Sequence, residues 1–398
     1  MKTTNSTGYN LLCIGLFMFM LYSMQIWVSM LENVYINNLP FLFIICSIFQ
    51  KGLWNASRSK VTLAIVYLFV WILTRDFDED PLKIRYTLPI ILVILLRNEY
   101  YGKLIISISK MFAVILIPAI FLHLLISFIP VPSLGLFSTP LYGSYANYIF
   151  NIHSLDSYSE RFNACFCEPG HLGMIMSFLL YVNKYQVKKW YVIVCLVSLL
   201  LSLSLAGYVL LILGYLFYLL SGNFAMRSVK YLCWAAFVFI IAYYISINYN
   251  GGHNYVNEKI VERLEYDKDQ GIKGNNRVTL ATDTFFESSD LSDFIVGIRS
   301  GKIMQDWELS GSGYKIFIME YGIISLALVF LLYLYITKRS PKSTRKCCYG
   351  LLLLYCAAFM QRSYPFWAAW LIPFICFCMN DARRLKNVKN FNHYTTIK

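Results

Sequence analysis

Of the 398 residues, 58% are hydrophobic and only 14% charged, against roughly 25% charged in a soluble domain, so the chain reads as a polytopic membrane protein. The net charge of +13 comes without a basic patch interleaved with aromatics and gives no ground for a nucleic-acid partner. The cysteines lie mostly inside apolar runs, where a thiol behaves as a small hydrophobe, so neither a disulfide framework nor a metal site is expected.

A helix needs roughly 20 residues to cross a bilayer core of about 30 Å. Uncharged apolar stretches predict about twelve spans, near 11–31, 34–50, 61–74, 84–96, 104–130, 169–183, 190–204, 206–221, 229–248, 313–336, 348–361 and 364–380. The first stretch is too long and continuous for a signal-peptide core, and no small-residue cleavage site follows it, so no cleavable leader is expected. Ser202, Ser204 and Gly207 interrupt the run from Trp190 to Leu220 and predict a tight hairpin there. With the N-terminus in the cytoplasm, most Lys and Arg residues fall in cytoplasmic segments and nearly all acids fall outside, so both termini are expected in the cytoplasm. The chain then divides into N-terminal spans (1–130), a first long outer segment (131–168), central spans (169–248), a long outer loop (249–312), C-terminal spans (313–380) and a cytoplasmic tail (381–398).

Segments of this length are usually functional or disordered. Within the second, "VNEKIVERLEY" sets Val256, Ile260, Val261 and Leu264 on one helical face, and "NNRVTLATDTFF" offers Asn276 as a cap ahead of Val278, Ala281 and Phe285. "DKDQGIKGNN" between them reads as a flexible turn.

Several charges sit close to the predicted membrane. Glu168 precedes Pro169 and suits a helix start by capping and dipole interaction alone, worth roughly 0.3–1 kcal/mol. Arg161 lies a few residues upstream and His171 one turn downstream. Arg75, Lys83 and Arg85 flank the acidic turn "RDFDEDPLKIR". Only the eleven residues Tyr86–Leu96 separate Arg85 from Arg97, a helix of about 16 Å. Lys83 is therefore expected to snorkel, and Arg85 to snorkel or face a wet cavity. Lys110 is expected to snorkel, and His123 to pack. In the long loop, Arg277 opens the second amphipathic helix. Arg299 and Lys302 lie in "GIRSGK", where Gly297 and Gly301 let the backbone approach another group closely.

"RFNACFCEPGHLG" is similar to the Arg…Glu-Pro segment of O-antigen polymerases of the Wzy type. "NNRVTLATDTFFESSDLSDFIVGI" resembles their long periplasmic loop. "GSGYKIFIMEYGIISLALVF" resembles the start of the following span, and "SLSLAGYVLLILGYL" the Ser-rich hairpin between two central spans. The resemblance covers roughly 160–335 in detail and the whole chain in topology. It implies an all-α, GT-C-like frame in the bacterial inner membrane. The substrate it implies is an oligosaccharide repeat unit linked to undecaprenol through diphosphate, and the reaction is transfer of the growing chain to the non-reducing end of a new unit. Further implied are the lipid bilayer, a chain-length regulator and a flippase as partners, and no cofactor.

Such a reaction needs fixed cations where the departing diphosphate gains charge, a role arginine fills bidentately without a metal. It also needs a proton acceptor for the attacking hydroxyl. The resemblance points to Arg161 and Arg277 as catalytic, with Glu168 as base or orienting carboxylate and His171 as the alternative base. Arg299, Lys302, Arg85 and Arg75 are then substrate contacts. Tyr142, Tyr145, Tyr148, Tyr158 and Tyr255 suit stacking on sugars or an interfacial aromatic belt equally well. No metal is implied: the first outer loop, "ENVYINN", offers only Glu32, and the acids at 76–80 sit in a tight turn. Two departures stand out. The related ligases carry a His late in the long loop, where "DWELSGSGYKIF" has none, and Ala206 stands where many relatives carry Arg. The competing readings are an O-antigen ligase, a lipid-linked oligosaccharide flippase and a non-catalytic membrane scaffold.

Overall fold

A computed structural model describes residues 6–31, 33–50, 52–74, 83–139, 143–155, 161–223, 237, 240–241, 243–254, 257, 261–262, 265–267, 271–272, 284, 287–299, 313–362 and 364–380. It is predominantly helical. Eleven of the twelve predicted stretches hold a helix. They are α1 (Ser6–Ser23), α2 (Val34–Ile48), α3 (Arg58–Leu73), α4 (Ile84–Leu95), α5 (Asn98–Phe128) and α6 (Pro169–Val182). After these come α7 (Trp190–Leu201) and α8 (Leu205–Tyr218). A short α9 (Leu291–Val296), which belongs to none of the stretches, precedes α10 (Gly313–Lys338), α11 (Arg345–Phe359) and α12 (Ala368–Met379). The stretch 229–248 lies largely outside the described residues and is helical over 243–248. Among the described residues, three helices are long and apolar enough to cross a membrane: Asn98–Phe128, Leu205–Gly222 and Gly313–Lys338.

Two boundaries differ from expectation in ways that shape the site. The first helix ends at Ser23, not near residue 31. Ser23 Oγ donates back to the Met20 carbonyl at 2.7 Å, and Gln25 turns left-handed (φ 55°). The chain then pairs with a distant segment: Trp27 N–H donates to the Cys165 carbonyl and Cys167 N–H to the Gln25 carbonyl, both at 3.2 Å. Near the C-terminus, α11 stops at Phe359 and α12 starts at Ala368. The connection is longer than the apolar pattern implied, and it carries Arg362, Tyr364 and Trp367.

The all-α expectation is corrected in the segment 131–168. It folds into a three-stranded antiparallel sheet of β1 (Gly135–Thr139), β2 (Gly143–Asn147) and β3 (Ile152–Ser154), with Phe137 opposite Tyr145 and Tyr145 opposite Ser154. Tyr145, read as a sugar-stacking candidate, is fully buried. It stacks on Phe137 at 5.2 Å and donates its hydroxyl to the Cys167 carbonyl, so its role is to hold the sheet to the chain entering α6. Tyr148 donates to the Val131 carbonyl at 3.3 Å. Tyr142, Tyr158 and Tyr255 lie outside the described residues, as do Asn276 and most of both predicted loop helices. At the start of the "DKDQGIKGNN" stretch, β4 (Tyr266–Asp267) pairs antiparallel with β5 (Gly271–Ile272).

The interior of the bundle is built on α6 and α12. Every residue of α6 is buried, and so is nearly every residue of α12, which packs on α1, α4, α5, α6, α10 and α11. The α7–α8 hairpin forms as its serines predict: Leu203 takes φ 45°, and Ser204 Oγ accepts from Gly207 N–H at 3.2 Å. Gly207 lets α8 lie directly against Gly173 of α6, where an added Cβ would stand only 3.0 Å from the facing Cα.

The helix ends segregate. At one end Lys60 Nζ donates to the Leu96 carbonyl and Tyr101 hydroxyl, Arg97 to the Gly52 carbonyl, and Tyr181 to the Cys347 carbonyl. At the other, the sheet, the end of α1, the end of α3 and the starts of α4, α6, α10 and α12 come together. Of the charges singled out in the sequence, Lys83, Arg85, Arg161, Glu168, His171 and Arg299 lie at this sheet-bearing end.

Candidate functional site

Pro169 opens α6 at the first helical position, and Glu168 stands before it in extended conformation (φ −133°, ψ 127°). Its carboxylate does not cap the helix. Instead Oε1 pairs with Nη2 of Arg362, and Oε2 lies 3.4 Å from Nε2 of His171. Gly170 provides the space, because a Cβ there would stand 2.8 Å from Glu168 Oε1 and 3.4 Å from Arg362 Nη2. His171 is fully buried. Its Nδ1 lies 3.0 Å from the Met24 carbonyl, which the early end of α1 puts there. Its ring meets Trp367 edge-on at 4.9 Å and 89°. Both ring nitrogens therefore face oxygen atoms, and both carboxylate oxygens face cationic or N–H groups. The arrangement suits Glu168 to orienting its neighbours better than to taking a proton from an alcohol.

Arg161 is also buried, and its Nε donates to the Ser202 carbonyl at 3.1 Å in the α7–α8 turn. The same segment is fixed by Phe162 N–H, which donates to the Leu201 carbonyl, and by the Phe162 ring against His123 at 5.3 Å. His123 thus packs as expected. Below Arg161, Cys165 and Cys167 are buried, and burial pushes both thiols up to about 12.

Three sequence-distant pieces complete the site. Gly313, at the start of α10, donates its N–H to the Met360 carbonyl at 3.0 Å and lies so close to Arg362 that a Cβ would overlap that residue's backbone. Further along α10, the chain breaks helical conformation at Gly322 (φ 78°). There the residues after α9 dock backbone to backbone: Ile298 and Arg299 N–H donate to the Met319 and Glu320 carbonyls, each at 2.9 Å. Gly297 (φ 84°) and Gly322 face each other with no space for a Cβ on either. This is the close approach read from "FIVGIRSGK". Arg299 itself takes φ 56° and turns its Nε back to the Val296 carbonyl at 3.1 Å.

Beside the cluster lies a cavity of about 350 Å³ whose wall includes Lys83, Thr74, Tyr86, Tyr321, Tyr364 and Trp367. A smaller hollow of about 150 Å³ adjoins it through Tyr22 and Tyr86 and is lined in part by Arg85. Arg85 is exposed there, with its guanidinium over the Tyr86 ring at 4.8 Å.

Of the sequence-predicted residues, Arg161, Glu168 and His171 lie on one continuous segment. Arg299 is anchored on α10, and Arg85 stands at the neighbouring hollow. Arg75, Arg277 and Lys302 lie outside the described residues. Sequence reasoning missed Arg362, although it is a base in an otherwise uncharged, aromatic connection, "MQRSYPFW". Lys83, expected to snorkel, stands in the cavity wall. No metal-binding group of three or more His, Cys, Asp or Glu exists among the described residues. No protein-family profile matches the chain, and neither does any curated protein or solved structure.

Proposed function

We propose that the chain is an oligosaccharide repeat-unit polymerase of the Wzy type, a multi-pass glycosyltransferase of the bacterial inner membrane with about twelve spans and both termini in the cytoplasm. In this reading it joins undecaprenyl-diphosphate-linked repeat units at the periplasmic face without a metal. Arg161, with Arg277 from the long loop, stabilises the departing diphosphate. Arg299, Lys302, Arg75 and Arg85 contact substrate, and Glu168 orients the site through His171 and Arg362. A chain-length regulator and a flippase are its partners.

One observation carries the proposal. The "EPGH", "FIVGIR" and "GSGYKIFIMEYG" segments, each singled out by resemblance, pack on one another at one end of the bundle through Arg362, Gly313 and the Gly297–Gly322 contact. Arginine held in an enclosed setting, as Arg161 and Arg362 are, suits the charge that a pyrophosphate leaving group gains.

The test is a deletion strain scored by lipopolysaccharide gel. Loss of a polymerase leaves core plus one repeat unit, whereas loss of a ligase or flippase leaves bare core. Arg161→Ala and Arg277→Ala should each give the one-repeat pattern at normal protein level. Full-length ladders from both would overturn the assignment.

A further inference from the structure

The cavity beside the charged cluster has a wall unlike the rest of the chain. The apolar helices are built largely of leucine, isoleucine and valine. Yet neither these nor methionine occur among the described residues that line the cavity. The wall is aromatic and in part hydroxylated: Tyr22, Trp71, Tyr86, Tyr321, Tyr364 and Trp367 stand beside three phenylalanines, with Ser23 and Thr74 adding hydroxyl groups. Rings bearing an O–H or N–H offer a flat apolar face and a polar edge together.

That wall selects among guests. An acyl chain would pack on the rings but leave the hydroxyl and indole edges and Lys83 unused. A ligand cation, which aromatic walls also attract, would meet Lys83 and no carboxylate among the described lining residues. A sugar ring fits both demands, with C–H faces for the aromatics, hydroxyls for the edges, and any anionic substituent for Lys83. The volume, about 350 Å³, sits at the small end of ligand pockets, which run roughly 300–1,000 Å³. It suits one or two rings and not a whole repeat unit.

We propose that this cavity is a saccharide subsite holding one or two pyranose rings, with Lys83 placed for an anionic substituent. The assignment rests on the glycosyl-transfer reading above and deepens it. Trp367 is shared: it lines the cavity, stacks on Tyr364 at 4.5 Å and meets His171 edge-on at 4.9 Å. A bound ring therefore lies one indole away from Glu168, His171 and Arg362. Tyr321 adds a link to the long loop, since it precedes Gly322, where the residues after α9 dock.

The experiment uses the full-length chain in phosphatidylglycerol nanodiscs, titrated with galactose, N-acetylglucosamine, rhamnose and glucuronate under saturation-transfer NMR. Saturable binding of at least one sugar is expected. Tyr86→Ala and Tyr364→Ala, at positions each 37% exposed, should weaken it by roughly fivefold or more. Ser23→Leu, which fills the cavity at the cost of the bond from Ser23 Oγ to the Met20 carbonyl, should abolish it, and Lys83→Met should weaken glucuronate alone. The subsite is overturned if no sugar saturates or if binding ignores Tyr86→Ala, Tyr364→Ala and Ser23→Leu. It is equally overturned if brominated acyl chains quench the cavity tryptophans and sugar does not relieve the quenching. Binding is read without turnover, so the two readings fail separately. A chain that binds sugar here but builds no polymer overturns the polymerase reading. One that polymerises while these variants leave binding unchanged overturns the subsite.

Discussion

Arg362 and His171 each take one oxygen of the Glu168 carboxylate, and the Glu168 and Arg362 side chains are only 13% exposed. Removing one member of so enclosed a pair leaves the other charge without its partner, at a cost of roughly 3–5 kcal/mol. Arg362→Met and Glu168→Gln should therefore each lower the unfolding temperature in detergent. The double variant should be less damaged than the two effects added, because contacting charges couple by about 0.5–3 kcal/mol. Additive losses in that cycle would refute the pairing. The neighbouring thiols give a second prediction at this scale. Cys165 and Cys167 are buried and held protonated by burial, at about 12, and the thiolate is the reactive form. Neither should be alkylated by iodoacetamide at neutral pH in the folded protein, and both should be after denaturation. Glu168, Arg161 and His171 were legible in the sequence because a charge at the mouth of an apolar run is costly and local. Arg362 was not, because its partner lies 194 residues away and nothing in the pattern of its own segment announces a pairing.

The helices themselves were legible almost throughout, since a run of uncharged apolar residues leaves few alternatives to a buried helix. Their ends were harder. The stop at Ser23 depends on a hydroxyl bonding backward and on a partner strand supplied by residues 165–167, which no local periodicity records. The sheet of 131–168 was missed for a related reason: its strands are three to five residues long and are held by one buried tyrosine and not by sustained alternation. Gly297 was legible as a point of close approach, though its opposite number, Gly322, was not. Both take positive φ with backbone atoms where a side chain would go, so an alanine at either position adds about 1–3 kcal/mol of strain on top of a steric clash. Gly297→Ala and Gly322→Ala should release the residues after α9 from α10, seen as faster tryptic cleavage between residues 287 and 313. Gly222→Ala supplies the control, because it takes φ 95° with nothing within 4 Å and suffers the strain without the clash. Equal cleavage in all three variants would contradict the docking.

At the scale of the whole molecule, the alternation of helix ends makes a statement about sidedness that labelling can check. Cysteines replacing Arg85 and Arg299, both at the sheet-bearing end, should react with a membrane-impermeant maleimide from the same side. A cysteine replacing Arg97, at the opposite end, should react only from the other, each read above the background of the native thiols. Labelling of positions 85 and 97 from one side would dismantle the proposed arrangement.

The two central helices are short. α6 has 14 residues and α12 has 12, about 21 and 18 Å of rise, against a hydrocarbon layer of about 30 Å. The last residue before the tail, Asn380, lies level with Gly102 near the beginning of α5. From Gly102, α5 runs on to Phe128, about 39 Å further. The floor formed by Glu168, His171 and Arg362 thus lies below the far tip of α5. In the proposed glycosyl-transfer reading, a lipid diphosphate reaching that floor would shed hydration on the way. Charge that builds on it there would be felt by nearby guanidiniums far more strongly than at the water interface.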